Sequence, residues 1–292
     1  MRTITLTDLP LDDGTPVTYP FTFPGDWNEA DGDDLLSIAR AIAHRKEPAA
    51  VKFDLLKDLA RIPATLMHRM PPADHLSFEV DTTNRRGPYR PVETSEIRLL
   101  PQLDWAFTSP SYSKSLLPTI ACKGLTWKGP DDSFETMTLH QWCFCTELLQ
   151  AFRKCTDNNE ALNTLHNLLG AMYQPEHSAW RSEPIEEYGR TLSVLAPEVK
   201  LAAVLNYEAI HSTLPNMYPR VFKPSVDGFD PSPQGLFSIA HDAAKSGAFT
   251  NYGGDDLVEN KRLHLVLGYM EHTLYSDEIQ AERAKRAAKE TA

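Results

Sequence analysis

The chain has 292 residues, 41% of them hydrophobic and 24% charged, which is length and apolar content enough to bury one large core or two ordinary ones without disulfide staples. A formal net charge of −11 argues against gripping phosphate backbones or an anionic lipid surface, since both tasks need clustered Lys and Arg. The aromatic and aliphatic content is also too high for a disordered chain.

The negative charge gathers at the front, where Asp8, Asp12, Asp13, Asp26, Glu29, Asp31, Asp33 and Asp34 face the single base Arg2. Two stretches there alternate. Ile4 and Leu6 share a face of Arg2–Asp8, and Val17, Tyr19, Phe21 and Phe23 share a face of Pro16–Phe23. Leu11-Asp12-Asp13-Gly14 between them is a turn signal, so the pattern predicts a β-hairpin. A lone hairpin is marginal in water, and this one needs a helical body or a partner chain to lie against. The period then becomes helical. Asp33 or Asp34 is expected to cap a helix burying Leu35, Ile38, Ala39 and Ile42 and ending near Pro48. A second helix carries Val51, Leu55, Leu56, Leu59 and Ile62 up to Pro63.

Prolines at 71, 72, 88, 91, 101, 110, 118 and 130 break any long helix across 71–135, where Leu76–Val80 and Glu96–Leu100 read as short β-like runs. From 136 the chain reads as helical. Leu139, Trp142, Cys145, Leu149 and Phe152 form one stripe. Asp157 and Glu160 have capping-box spacing before a helix burying Leu162, Leu165, Leu169 and Met172. The next helix starts at Pro197 with Val199, Leu201, Ala202, Leu205 and Ile210 inward, and another runs from Gln234 to a stop at Gly247. The last begins at Asp255-Asp256 and carries Leu257, Leu263, Leu267, Met270 and Leu274, followed by a charged tail with few large apolar residues. The fold class expected is α+β, mainly α. It divides into a hairpin plus two helices (1–70), a Pro-rich irregular or β segment (71–135), a helical bundle (136–275) and a charged tail (276–292).

No apolar run approaches the roughly 18 residues of a membrane span. The acidic start is unlike a signal peptide, and no Asn-x-Ser/Thr acceptor occurs. Four cysteines (Cys122, Cys143, Cys145, Cys155) are too few for a disulfide framework. These features point to a reducing cytoplasm, or to a particle assembled there.

The chemistry-bearing groups in the sequence also have plainer roles. His140, Cys143, Cys145 and Cys155 look like metal ligands, but Cys143 and Cys145 point about 200° apart on a helix that turns about 100° per residue. Two remaining ligands do not make a zinc site, and a structural role for the cysteines is favoured, with no metal expected. The pairs Asp33-Asp34, Asp131-Asp132 and Asp255-Asp256 each precede a predicted helix, where acids cap and meet the helix dipole. His264 and His272 lack the spacing of a zinc protease, and no nucleophile elbow, phosphate loop, dinucleotide fingerprint or kinase signature occurs. No catalytic residue and no cofactor is assigned. Arg85 and Arg86, with Arg90 nearby, are a basic cluster suited to an acidic partner surface. Trp27, Trp105, Trp127, Phe107 and Tyr112 lie in the loop-rich half, where aromatics serve either an interface or the cover of the core. Val17, Tyr19, Phe21, Phe23, Trp27, Arg85 and Arg86 are the candidate interface residues.

Three blocks carry a family resemblance. Residues 129–175 open on Gly129-Pro130-Asp131, start a helix from Phe134 to Thr138 and continue as helix–turn–helix to a proline. Residues 195–222 are a Leu/Pro-led helix leaving through Tyr218-Pro219-Arg220-Val221-Phe222. Residues 236–271 place Gly247-Ala248-Phe249, where the family form is Gly-Lys-Phe-Gly, after one helix and an acidic start before the last. In this order they resemble helical proteins encoded in tail and structural modules of prophage-like elements, over about half the chain. The resemblance implies a non-enzymatic role in building a virion or tail, with other copies of the chain or other particle proteins as partners and no catalytic residues to transfer. An assembly chaperone or adaptor absent from the finished particle is the alternative. A further one is an enzyme of unrecognised type, which a deep pocket joining residues such as His140, Glu147, Asp157 or His211 would favour. No small-molecule substrate is identified, and neither nucleic acid nor membrane is expected as a partner.

Overall fold

A computed structural model describes residues 1–10, 16–43, 48–62, 77–81, 93–95, 100–222, 232–245 and 260–290. Among them lie nine α-helices and two antiparallel sheets, a mainly helical α+β architecture. The chain forms two compact units, one of residues 1–112 with 196–206 and the other of residues 113–195 with 207–292.

In the first unit, β1 (Arg2–Pro10) and β2 (Pro16–Phe23) pair antiparallel, with Ile4 opposite Phe21 and Leu6 opposite Tyr19, and a bulge falls between Leu6 and Leu9. The turn residues Leu11-Asp12-Asp13-Gly14 lie outside the described residues. The hairpin gains neighbours within its own chain. β3 (Ser77–Asp81) pairs with β1, setting Val80 against Ile4 and Phe78 against Leu6, and β4 (Glu93–Ser95) pairs with β3. The order β2-β1-β3-β4 leaves β2 at an edge. An edge tolerates the missing N–H groups of Pro16 and Pro20. A short strand is present at Glu93–Ser95, just before the second expected β-run, Glu96–Leu100. Leu100 opens a 3₁₀ helix, Leu100–Phe107, and 96–99 lie outside the described residues.

Helix α1 (Gly32–Ala43) is capped by Asp31, two residues before Asp33 and three before Asp34. The Asp31 and Asp34 carboxylates each accept from the other's backbone N–H at 2.9 Å, a reciprocal capping box. Leu35, Ile38 and Ala39 are buried as expected, but Ile42, in the last turn, is 36% exposed. Pro48 does not end that helix; it is the first residue of α2 (Pro48–Leu59), a position where its missing N–H costs nothing. Val51, Leu55, Leu56, Leu59 and Ile62 are all buried, as their spacing predicts.

The second unit opens with a hairpin that the prolines at 118 and 130 hide in the sequence. β5 (Thr119–Cys122) and β6 (Leu125–Lys128) flank a Lys123-Gly124 turn with φ of 50° and 77°, the left-handed pair that a two-residue hairpin turn needs. β6 also pairs with β7 (Gln174–Pro175), and this ties residues 113–135 to the helical part of the chain. Helix α3 (Leu139–Lys154) is capped by Thr138, whose Oγ1 accepts from Gln141 N at 3.2 Å. α4 (Asn158–Met172) is capped by Asp157, which accepts from the N–H groups of Asn159 and Glu160 at 2.9 Å.

The α4 stripe departs from the expected one. Leu162 is 47% exposed and Leu165 half-buried, while Leu168, Leu169, Ala171 and Met172 are fully buried. Only the C-terminal half of α4 enters the core, because Gly170 and Gly189 let it meet α5 (Ile185–Leu192) backbone to backbone. α6 (Pro197–His211) begins at Pro197 as predicted, with Ala202 and Ile210 buried but Val199, Leu201 and Leu205 only half-buried. The short α7 (Leu214–Met217) and α8 (Pro233–Lys245) follow, and Gly247 lies outside the described residues. α9 (Leu263–Glu290) starts later than Asp255-Asp256, which with Leu257 also lie outside them. Its first turn is held by Leu263 N to Met137 O and Leu139 N to Lys261 O, at 2.8 and 3.0 Å. The helix runs without a break through the sequence's charged tail.

Candidate functional site

The candidate interface residues separate. Val17 and Tyr19 stand on edge strand β2 and Phe21 beside them is half-buried, but Phe23 is 1% and Trp27 6% exposed. Trp27 meets Trp105 edge-on at 5.2 Å between ring centres and Tyr112 at 6.1 Å, so these rings cover the core of the first unit. Trp127 is likewise buried, against Tyr188 at 5.3 Å, and only Phe107 of the aromatic set is broadly exposed. The pattern of alternation shows which strand face is apolar; it does not show whether the chain itself covers that face. Arg85, Arg86 and Arg90 lie outside the described residues.

The structure builds a cleft that the sequence indicated from one side only. It lies between α3 and α8, holds about 430 Å³, and is lined by His140, Cys143, Phe144 and Glu147 from the first helix. Pro233, Gln234, Phe237, Ser238 and His241 line it from the second. His140, Cys143, Phe144 and Glu147 occur at helical spacing, which stacks them along one face of α3. The His140 ring lies 5.0 Å from both Phe144 and Trp180 and 6.2 Å from Phe237. Phe144 and Trp180 are themselves 5.9 Å apart. Cys143 is buried, its thiol 3.5 Å from Pro233 O, and burial followed by the Glu147 carboxylate pushes that thiol up to about 12. A thiol held protonated is a poor nucleophile, so the cleft is better fitted to hold a molecule than to attack one.

The other groups named from the sequence do not join it. His211 stacks on Trp142 at 5.7 Å and lies 5.9 Å from the Tyr207 ring, and Asp157 is committed to its helix cap. Burial, and after it the Arg153 guanidinium, pulls the His211 imidazole down to about 4. Cys145 is fully enclosed and its thiol is pushed far up by burial. Among the acid pairs, Asp131 accepts from Thr136 N at 2.9 Å and Asp132 from Ser115 N at 2.7 Å, so both fasten loops. His264 bridges two elements, with Nδ1 2.7 Å from the Tyr218 hydroxyl and Nε2 hydrogen-bonded to Ser133 O. Ser133 and the buried Phe134 next to it both have positive φ, 52° and 61°. Such a conformation is costly for two consecutive non-glycine residues and needs these fastenings to persist.

Among the described residues no group of three or more His, Cys, Asp or Glu side chains could hold a metal ion. Nor, among them, is any helix long and apolar enough to cross a membrane. Comparison with protein-family models, with curated proteins and with solved structures gives no match to this chain. The residues missed by sequence reasoning are those from α8: Phe237, Ser238 and His241 stand about ninety positions from their α3 partners, as the Cys143–Pro233 contact does.

Proposed function

We propose that this chain is a non-enzymatic structural or assembly component of a phage-tail-like or virion particle, working through contacts with copies of itself or with other particle proteins. The observation that carries the reading is the form of α9. Its root is buried through Leu263, Val266, Leu267 and Met270. Arg220 clasps the middle of the helix, pairing with Glu271 at 2.9 Å and Glu278 at 3.0 Å, with its guanidinium 4.6 Å from the Tyr275 ring centre. Glu271 also accepts from the backbone N–H groups of Arg220 and Val221.

Beyond this clasp the helix continues, and residues 281–287 are exposed on every side. A stretch this short is marginal as a helix on its own and gains stability by docking. The buried positions Leu263, Leu267 and Met270 and the half-buried Leu274 continue as Asp277, Ala281, Ala284 and Ala288 at alternating four- and three-residue spacing, a seam along which another helix can pack. The particle setting rests on the resemblance of the blocks 129–175, 195–222 and 236–271.

Light scattering on the full chain, and on a chain ending at Tyr275, tests the reading. The full chain is expected to associate with itself or with particle proteins, and the shortened chain to lose that association. A full chain that stays strictly monomeric in both settings and turns over a small molecule overturns it. Mass spectrometry of purified particles separates a retained component from a chaperone that leaves.

A further inference from the structure

The cleft between α3 and α8 is walled by aromatic rings and carries a carboxylate at its rim. Its rings His140, Phe144 and Phe237 are each half-buried and present part of an aromatic surface at one opening, and Trp180, also half-buried, stands behind the lining against His140 and Phe144. Among the described residues its lining contains one carboxylate, Glu147, two imidazoles, His140 and His241, and neither Lys nor Arg. Glu147 is exposed and makes no hydrogen bond or ion pair among the described residues. We infer that this cleft is a binding site for a small organic cation of the aryl- or alkylammonium class.

Aromatic faces carry the negative side of the ring quadrupole and attract a cation placed over them, more strongly as water is excluded. Glu147 adds a charge of the right sign at the rim, while an anion would meet that carboxylate with neither Lys nor Arg among the described lining residues to offset it. The hydrocarbon part of the ligand would lie against Phe144, Phe237 and Pro233. A volume of about 430 Å³ falls within the usual range of small-molecule sites. The same negative field is felt by Cys143, whose thiol it helps keep protonated. This inference does not depend on the assembly reading, and either can fail alone.

The test is an NMR titration of the full chain with three probes of similar size: benzyltrimethylammonium, benzyl alcohol and benzoate. The ammonium probe is expected to saturate and to shift the resonances of Phe144, Phe237 and Ser238, with the alcohol binding more weakly and benzoate not at all. Glu147→Gln should weaken the ammonium probe by about fivefold, as expected for losing one partly screened ion pair, and leave the alcohol unchanged. Ser238→Trp, which fills the cleft from an exposed position, should abolish binding while spectral dispersion is kept. Equal binding of ammonium and alcohol, shifts located elsewhere, or no saturation by the ammonium probe would each overturn the inference. The comparison of probes on the unmodified chain stands even if a variant fails to fold.

Discussion

At the scale of single residues, three groups that look chemical in the sequence, Cys143, Cys145 and His211, have their charged forms disfavoured by burial. His211 is the clearest case, because its ring nitrogen Nε2 is enclosed without a hydrogen-bond partner and its imidazole sits at about 4. A histidine released by unfolding regains its ordinary value of about 6.5. Between those two values the unfolded chain holds the proton and the folded chain does not. Stability from this group is therefore complete above about pH 6.5, falls as pH drops toward 4, and changes no further below that. The loss should total about 3 kcal/mol. Urea unfolding across this range should show the wild type losing that much more than His211→Phe, which keeps a ring against Trp142 and cannot titrate. Parallel decline of the two proteins would refute the assignment.

At the scale of elements, local signals were legible wherever a cap or a stripe lies within one element. The hairpin, the α2 stripe, the Asp157 cap and the Pro197 start all follow from spacing and terminal chemistry. Stripes mislead at helix ends that leave the body, as Ile42 and Leu162 do, because periodicity reports a face and not how far along it the core extends. The β5–β6 hairpin was also readable from Lys123-Gly124 between Thr119–Cys122 and Leu125–Lys128, but flanking prolines outweighed it. Half of the cleft was legible too: His140, Cys143 and Glu147 share a helix, whereas the register of α8 against α3 is set by tertiary packing.

The crossing of α4 and α5 gives a sharper expectation. A Cβ built on Gly189 would stand 2.6 Å from His166 O, and one on Gly170 would stand 2.7 Å from Gly189 N. Backbone atoms cannot turn aside as a side chain can. Gly189→Ala should cost about 1–3 kcal/mol through overpacking. Gly268, inside α9, has open space around it, so Gly268→Ala should stabilise by about 0.5–1 kcal/mol. Thermal melts of the two variants ought to move in opposite directions; movement in the same direction would contradict the packing described for α4 and α5.

At the scale of the whole molecule, chain order and compact units do not coincide. The first unit includes residues 196–206, which arrive after about half of the second has been laid down. Within that unit Arg40 pairs with Glu198 at 3.9 Å, and the buried Tyr112 hydroxyl lies 3.5 Å from Asn206 Oδ1. A fragment of residues 1–112 should accordingly lack a cooperative unfolding transition, by near-ultraviolet circular dichroism against urea. A single cooperative transition from the isolated fragment would show the returning segment to be dispensable. Composition along the chain marks off stretches such as 71–135 and 276–292, but it carries no sign of a segment that returns from afar.

His264 has one more consequence. A carbonyl such as Ser133 O can only accept, so the ring must present N–H at Nε2, and in the neutral ring Nδ1 is then left to accept from Tyr218. The tautomer is dictated by partners on two other segments, while the ring itself is carried in the first turn of α9. It therefore works as a gauge: the nitrogen resonances of this one imidazole register whether the root of the long helix is seated, at a point remote from the exposed end where a partner would be met.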